Sequence, residues 1–349
     1  MASVFLGAAR RSSLAQIRHV APVRPGADTG LVARVYHQVE RDFGMLAPPV
    51  ALHAPAPGVL AATWLMLRET LIATGRVDRA SKEAVGTAVS LGNACPYCVE
   101  VHSATLSGLA DADDDADPGR QELAAWATSC GNAASLARFG RPPFPAEHGA
   151  ELVAVVVTFH YLNRMVNVFL RESPFPSGLP GPARGRLLRL LVRILGPVTR
   201  STLRPGDSAD LLPAATLPED LAWAAGSPHV ADAFARAASR VEEAGARQAP
   251  AAVRELVLAE LAGWNGDLPG ASRAWVEDAV SGLAAADRPA GRLALLTALA
   301  SYQVGPSVIE QCRGERFDDE ALIELTSWAS LQAARRVGSW TWDSARSRG

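Results

Sequence analysis

The chain has 349 residues, 48% of them hydrophobic and only 6% aromatic. That length suits two average domains better than one small module, and the core has to be aliphatic and Ala-rich. A net charge of −2 with 20% charged residues leaves no basic surplus for counterion-driven nucleic-acid binding.

At the N-terminus, MASVFLGAARRSS places Arg10 and Arg11 after a short apolar stretch, the reverse of a signal peptide's order. No apolar run reaches the roughly 18 residues of a membrane span. The longest, 59–67 and 152–159, read as buried helix segments. The expectation is a cytoplasmic protein that engages neither membrane nor nucleic acid. Its four cysteines, Cys95, Cys98, Cys130 and Cys312, are too few for a disulfide scaffold. Lys82 is the single lysine, which reads as compositional bias.

Apolar residues recur three and four apart over 59–71, 84–91, 152–168, 253–261, 293–302 and 322–337. This is the helical period, and no segment alternates over strand length, so the fold class is all-α. Residues 111–117, Asp-Ala-Asp-Asp-Asp-Ala-Asp, read as a solvated connection, because they lack the ligand spacing and late Glu of a calcium loop. Residues 173–219, rich in Pro and Gly, read as a linker carrying one basic helix at 184–200 packed across a domain junction.

The chain also resembles itself. Lys82-Glu83 aligns with Arg254-Glu255, Val85 with Val257, Asn93 with Asn265 and Arg164 with Arg336, an offset of 172 residues. The apolar periods stay in phase, which predicts two similar helical lobes about a pseudo-twofold axis. The expected organisation is an extension at 1–30, a first lobe at 31–172, the linker at 173–219 and a second lobe at 220–345.

The chemistry concentrates in Glu83-Ala-Val-Gly-Thr-Ala-Val-Ser-Leu-Gly-Asn-Ala-Cys95-Pro-Tyr-Cys98-Val-Glu-Val-His102. Gly92-Asn93 suits a helix C-cap, and Pro96 suits the first position of the next helix. Cys95 then falls near the N-cap and Cys98 near the third helical residue. There, backbone N–H groups and the helix dipole are expected to lower the energy of a thiolate. His102, one turn beyond Cys98 on the same face, can take the thiol proton. If the two helices form an antiparallel hairpin, Glu83 comes alongside His102 and can orient it or pass its proton on through water. A zinc site built from the same Cys, Cys, His and Glu is the competing reading, although no second Cys or His pair completes it.

The pattern Glu-x11-Cys-x2-Cys-x3-His in a helical chain resembles the alkylhydroperoxidase AhpD branch of the carboxymuconolactone decarboxylase-like superfamily. The lead-in Leu46-Ala-Pro-Pro through Gly75-Arg-Val-Asp-Arg-Ala-Ser-Lys-Glu83 is similar to that family's, as is Asn163-Arg164 in a later helix. The resemblance implies an AhpD-like helical bundle and a thiol-dependent peroxidase or disulfide oxidoreductase with peroxiredoxin-type activity in antioxidant defence. It implies Cys98 as the peroxide-attacking thiolate, Cys95 as the resolving thiol that closes a Cys95–Cys98 disulfide, and His102 and Glu83 as a proton relay with water between them. It implies a hydroperoxide substrate, a dithiol reductant that is either dihydrolipoamide-bearing or thioredoxin-like, and a homo-oligomer. Neither an organic cofactor nor a metal is expected.

Tyr97 stands where some members carry a His between the cysteines. The alternatives are a carboxymuconolactone-type decarboxylase or isomerase, which needs no cysteine pair, and a non-enzymatic redox sensor or scaffold. In the second lobe Cys95 becomes Asp267, Cys98 becomes Gly270 and His102 becomes Ala274, so that lobe reads as a degenerate copy. Cys130 and Cys312 read as small buried hydrophobes. His160 and Tyr161 read as core residues near a possible pocket, and Trp328, Trp340 and Trp342 as packing anchors.

Overall fold

The computed structural model describes residues 2–27, 30–109, 117–175, 200–314 and 317–346. The acidic connection, apart from Asp117, and the basic helix expected at 184–200, apart from Arg200, lie outside the described residues.

The described chain is all-α. In order the helices are α1 (Ala2–Leu14), α2 (Leu31–Phe43), α3 (Pro48–Ala51), α4 (Pro57–Leu67), α5 (Arg79–Gly92), α6 (Pro96–Leu109), α7 (Pro118–Ser129), α8 (Ala133–Phe139) and α9 (Gly149–Phe169). They continue with α10 (Pro228–Gln248), α11 (Ala251–Gly263), α12 (Ala274–Val280), α13 (Arg288–Ala300), α14 (Pro306–Arg313) and α15 (Asp319–Arg346). Proline opens α4, α6, α7 and α10, where its missing N–H costs no hydrogen bond.

From α4 onward the helix order repeats. Shifted by 172 residues, the starts of α4, α5, α7, α8 and α9 fall within two residues of those of α10, α11, α13, α14 and α15. The two halves are not separate bodies. One continuous apolar core runs through both, and α9 packs most widely on α15 and α4 on α10, which are pairs related by the same shift.

α9 is the axis of this core. By length and hydropathy it could cross a membrane, yet 94% of its apolar window is buried inside the protein. Every residue of α9 except Asn167 is buried. His160 and Tyr161 are core residues, Tyr161 bonding Thr63 Oγ1 at 2.9 Å and His53 Nε2 at 3.0 Å. Trp328, Cys130 and Cys312 are buried as well.

Past α4 the helix widens into a π turn over Arg68–Ile72. Buried Arg68 bonds Asp42 at 2.7 Å and Glu69 at 2.5 Å, and reaches the carbonyl of Arg204 at 3.1 Å. Residues 203–212, expected as linker, are thereby fastened to the first half, with Leu211 and Leu212 buried. The N-terminal residues do more than extend the chain. Arg10 pairs with Glu40 at 2.5 Å, and Arg18 N–H bonds the Phe169 carbonyl at 2.8 Å, which holds α1 against the first half.

Candidate functional site

Asp78 caps α5, its carboxylate accepting from Ser81 N–H at 2.9 Å. That start puts Arg79 and Glu83 one turn apart, with Arg79 donating to Glu83 Oε1 at 2.8 Å through Nε. The far end of α5 turns directly into α6. Ala94 N–H bonds the Leu91 carbonyl at 3.2 Å and Cys95 N–H bonds the Ser90 carbonyl at 3.0 Å, which is a Schellman closure. The helix ends at Gly92 with Asn93 as its C-cap, as expected, and the left-handed residue that follows is Ala94, at φ 48°. The closure needs its left-handed residue immediately before the bonded Cys95, so the conformation falls on alanine at a cost of about 1 kcal/mol. Cys95 becomes the residue just before α6 and Cys98 its third residue, as the spacing predicts.

α5 and α6 run antiparallel in close contact. Glu83 Oε2 and His102 Nδ1 are 2.6 Å apart, so the expected relay through water is corrected to a direct bond. Two elongated side chains meeting across a tight hairpin leave no space for a bridging molecule. Burial pushes the Glu83 carboxyl up, but the charges of Arg79 and His102 and their hydrogen bonds outweigh it and hold the group below the usual carboxylate range. Glu83 is therefore a carboxylate that fixes the imidazole by its Nδ1–H and leaves Nε2 to exchange a proton. Phe159 meets the His102 ring edge-on, with centroids 4.7 Å apart. It can approach because residue 86 is glycine; a Cβ there would lie 2.5 Å from the Phe159 ring.

Both sulfurs are buried free thiols, Cys95 1% and Cys98 3% exposed. The expectation that the helix start favours the Cys98 thiolate is corrected. Burial pushes the Cys98 thiol well above its ordinary value and neighbouring Cys95 adds to the rise, while a hydrogen bond from Asn163 acts the other way. Removing the sulfur from water is the largest of these effects.

Cys98 and His102 open onto one cavity of about 420 Å³, and Cys95 does not line it. Its walls are mostly apolar, including Phe43, Met45, Leu67, Val101, Phe159 and Phe175. Ser12, Ser13 and Gln16 from the N-terminal segment also line it. Tyr97, between the cysteines, donates its hydroxyl to Gln16 Oε1 at 2.7 Å and so ties that segment to the dithiol turn.

The structure thus brings together all four residues expected from the motif. Sequence reasoning missed Arg79, Gly86 and the N-terminal wall. Of these, only Arg79 carried a readable signal, its i,i+4 spacing to Glu83. Among the described residues no group of three or more His, Cys, Asp or Glu side chains is arranged to hold a metal ion.

A buried dithiol at a helix start, backed by a histidine–carboxylate pair and facing an apolar cavity in an all-helical bundle, defines an AhpD-like protein. Over 337 residues, 93% of this chain and 94% of the relative, the sequence is 35% identical to a protein of Mycobacterium tuberculosis named alkyl hydroperoxide reductase. No family model matches the chain. The chain belongs to the AhpD-like alkyl hydroperoxide reductase family.

Proposed function

We propose that this protein is a peroxiredoxin-like thiol peroxidase that reduces organic hydroperoxides in a reducing, cytoplasmic setting. The observation that carries the reading is that Cys98 and His102 face the same apolar cavity, with Glu83 fixed behind the imidazole. His102 Nε2 takes the Cys98 proton. The thiolate attacks the terminal peroxide oxygen, the O–O bond breaks, and the departing alkoxide takes a proton from the imidazolium to leave as alcohol. Cys98 is then a sulfenic acid. Cys95, on its inner side, displaces water and closes the Cys95–Cys98 disulfide, so the two electrons given to the peroxide come from the dithiol.

The reductant has to reach Cys98 through the same cavity, because Cys95 has no opening of its own there. That favours a slender dithiol arm such as protein-borne dihydrolipoamide over a thioredoxin-like protein, whose thiols sit on a broad folded surface. Shared access also predicts ping-pong kinetics, with hydroperoxide and reductant competing.

The test is a peptide map of the reduced protein before and after one equivalent of an organic hydroperoxide. The expected result is rapid loss of two hydrogens from the peptide containing Cys95 and Cys98. Two thiols that stay free would sink the proposal.

A further inference from the structure

Arg79 is the first residue of α5, and neither its place nor its spacing favours the helix. A cation in the first turn opposes the positive end of the helix dipole, and Arg four residues before Glu is the weaker order of an i,i+4 pair. The side chain is directed to the active site instead. Its Nε and Nη2 both donate to one oxygen, Glu83 Oε1, at 2.8 and 2.6 Å, which leaves Oε2 to His102 Nδ1 at 2.6 Å. Glu83 is completely buried, whereas Arg79 is 16% exposed and lines the same cavity as Cys98 and His102.

A buried carboxylate bonded to an imidazole and to nothing else draws in a proton. If the proton sits on the carboxyl, that group donates to Nδ1 and turns the ring to its Nε2–H tautomer. If it sits on the ring, the ring is imidazolium; the two forms belong to one coupled titration. Either way Nε2 carries a hydrogen and cannot accept the Cys98 proton. A cation fixed on Oε1 supplies the compensating charge without occupying the ring. The charges that act on Glu83 are those of Arg79 and His102. Charged groups on the other elements packed against α5 have their own partners. Glu69 of the π turn bonds Arg68 at 2.5 Å, Glu100 of α6 bonds Ser173 at 2.7 Å, and Arg120 of α7 meets Asp117 at 3.7 Å. On α9, Glu151 pairs with Lys82 at 3.1 Å and Arg164 bonds His160 at 3.1 Å.

We propose that Arg79 is a positioning residue that keeps the Glu83–His102 pair from holding a second proton and so leaves His102 Nε2 bare for the Cys98 thiol, a role that rests on the peroxidase reading above. Arg79 touches neither proton it governs; it acts through the carboxylate.

The test reads the His102 ring nitrogens by NMR at neutral pH in the reduced, isotope-labelled full chain, with His102→Gln to assign the signals. Alkylation of Cys98 by iodoacetamide is followed alongside as a function of pH, on the Cys98 peptide by mass spectrometry. The proteins compared are wild type, Arg79→Gln, which loses the charge but keeps a donor for Oε1, and Arg79→Lys, which keeps the charge. Each is melted by circular dichroism to establish folding, and Arg79→Met replaces the glutamine variant where that one fails to fold. Wild type and Arg79→Lys should show a bare Nε2. The uncharged variant should show a hydrogen on it, and its half-maximal Cys98 reactivity should move up by at least about one pH unit, roughly tenfold slower alkylation at neutral pH. A bare Nε2 in the uncharged variant, or an equal shift in Arg79→Lys, overturns the assignment. Neither measurement needs peroxide: a wild type that consumes no hydroperoxide removes the peroxidase reading, while the ring nitrogens alone still judge Arg79.

Discussion

The two halves share a helix order but not a site. At the shift of 172 residues Val85 corresponds to Val257 and Val89 to Leu261, and all four are buried, so the inward face of α5 recurs in α11. The outward chemistry does not recur. Glu83 is buried between Arg79 and His102, whereas Glu255 is exposed. Gly86 lies under the Phe159 ring, whereas Leu258 is 47% exposed. The helix that follows differs most, because α6 starts at Pro96 while its counterpart α12 starts only at Ala274, after Pro269-Gly270. The residues aligned with Cys95 and Cys98 thus precede a helix instead of opening one. Asn163 corresponds to Arg335, which instead pairs with Asp220 at 2.6 Å. Aliphatic packing at helical spacing sustains the bundle in both halves, and the site is an addition that the bundle does not need.

This asymmetry can be broken experimentally. The largest effect is expected at the thiols. Cys98→Ser should abolish peroxide consumption and Cys95→Ser should leave a sulfenic acid that dimedone traps, whereas Gly270→Ser in the second half should change neither. Equal residual turnover in both cysteine variants would overturn the division of roles. Next, Glu83→Gln should slow turnover by about 10²-fold, because the imidazole that transfers the proton loses the carboxylate that orients it. Glu255→Gln should leave the rate within error in the same peroxide assay.

Acid stability should separate the halves too. Burial pushes Asp42, Glu83 and Glu151 up, but Arg41 and Arg68, Arg79 and His102, and Lys82 respectively hold them below the usual carboxylate range. With folded values depressed, the unfolded chain binds more protons in acid. Their stabilisation is therefore complete above about pH 5 and is lost as pH falls through the folded values. Hydrogen exchange at decreasing pH should show α2, α5 and α9 losing protection before α11; simultaneous loss would contradict it.

Smaller still is the packing contrast. Gly86→Ala should cost about 1–3 kcal/mol and slow turnover by displacing Phe159 from His102, while Leu258→Ala should stay within about 0.5 kcal/mol in thermal melts. The smallest effect is a gain. Ala94→Gly relieves the left-handed residue and should raise stability by up to about 1 kcal/mol, with the dithiol still peroxide-reactive.

The sequence by itself determined the helical class, the repeat of helix order and the four residues of the motif. Each is encoded locally, in apolar period, in proline at helix starts, or in the one-turn spacing of Cys98 and His102. Even Cys95 and Cys98 at the start of α6 were legible from Pro96. Contacts between distant segments were decided only in the tertiary structure. Gln16 meeting Tyr97 and Asn163 bonding Ser90 and Asn93 depend on how helices far apart in the chain pack together, and whether Glu83 bonds His102 directly or through water depends on how closely the α5–α6 hairpin packs. The same packing raised the Cys98 thiol that the helix start alone was expected to lower, because desolvation depends on everything packed around a group and not on its place in one helix.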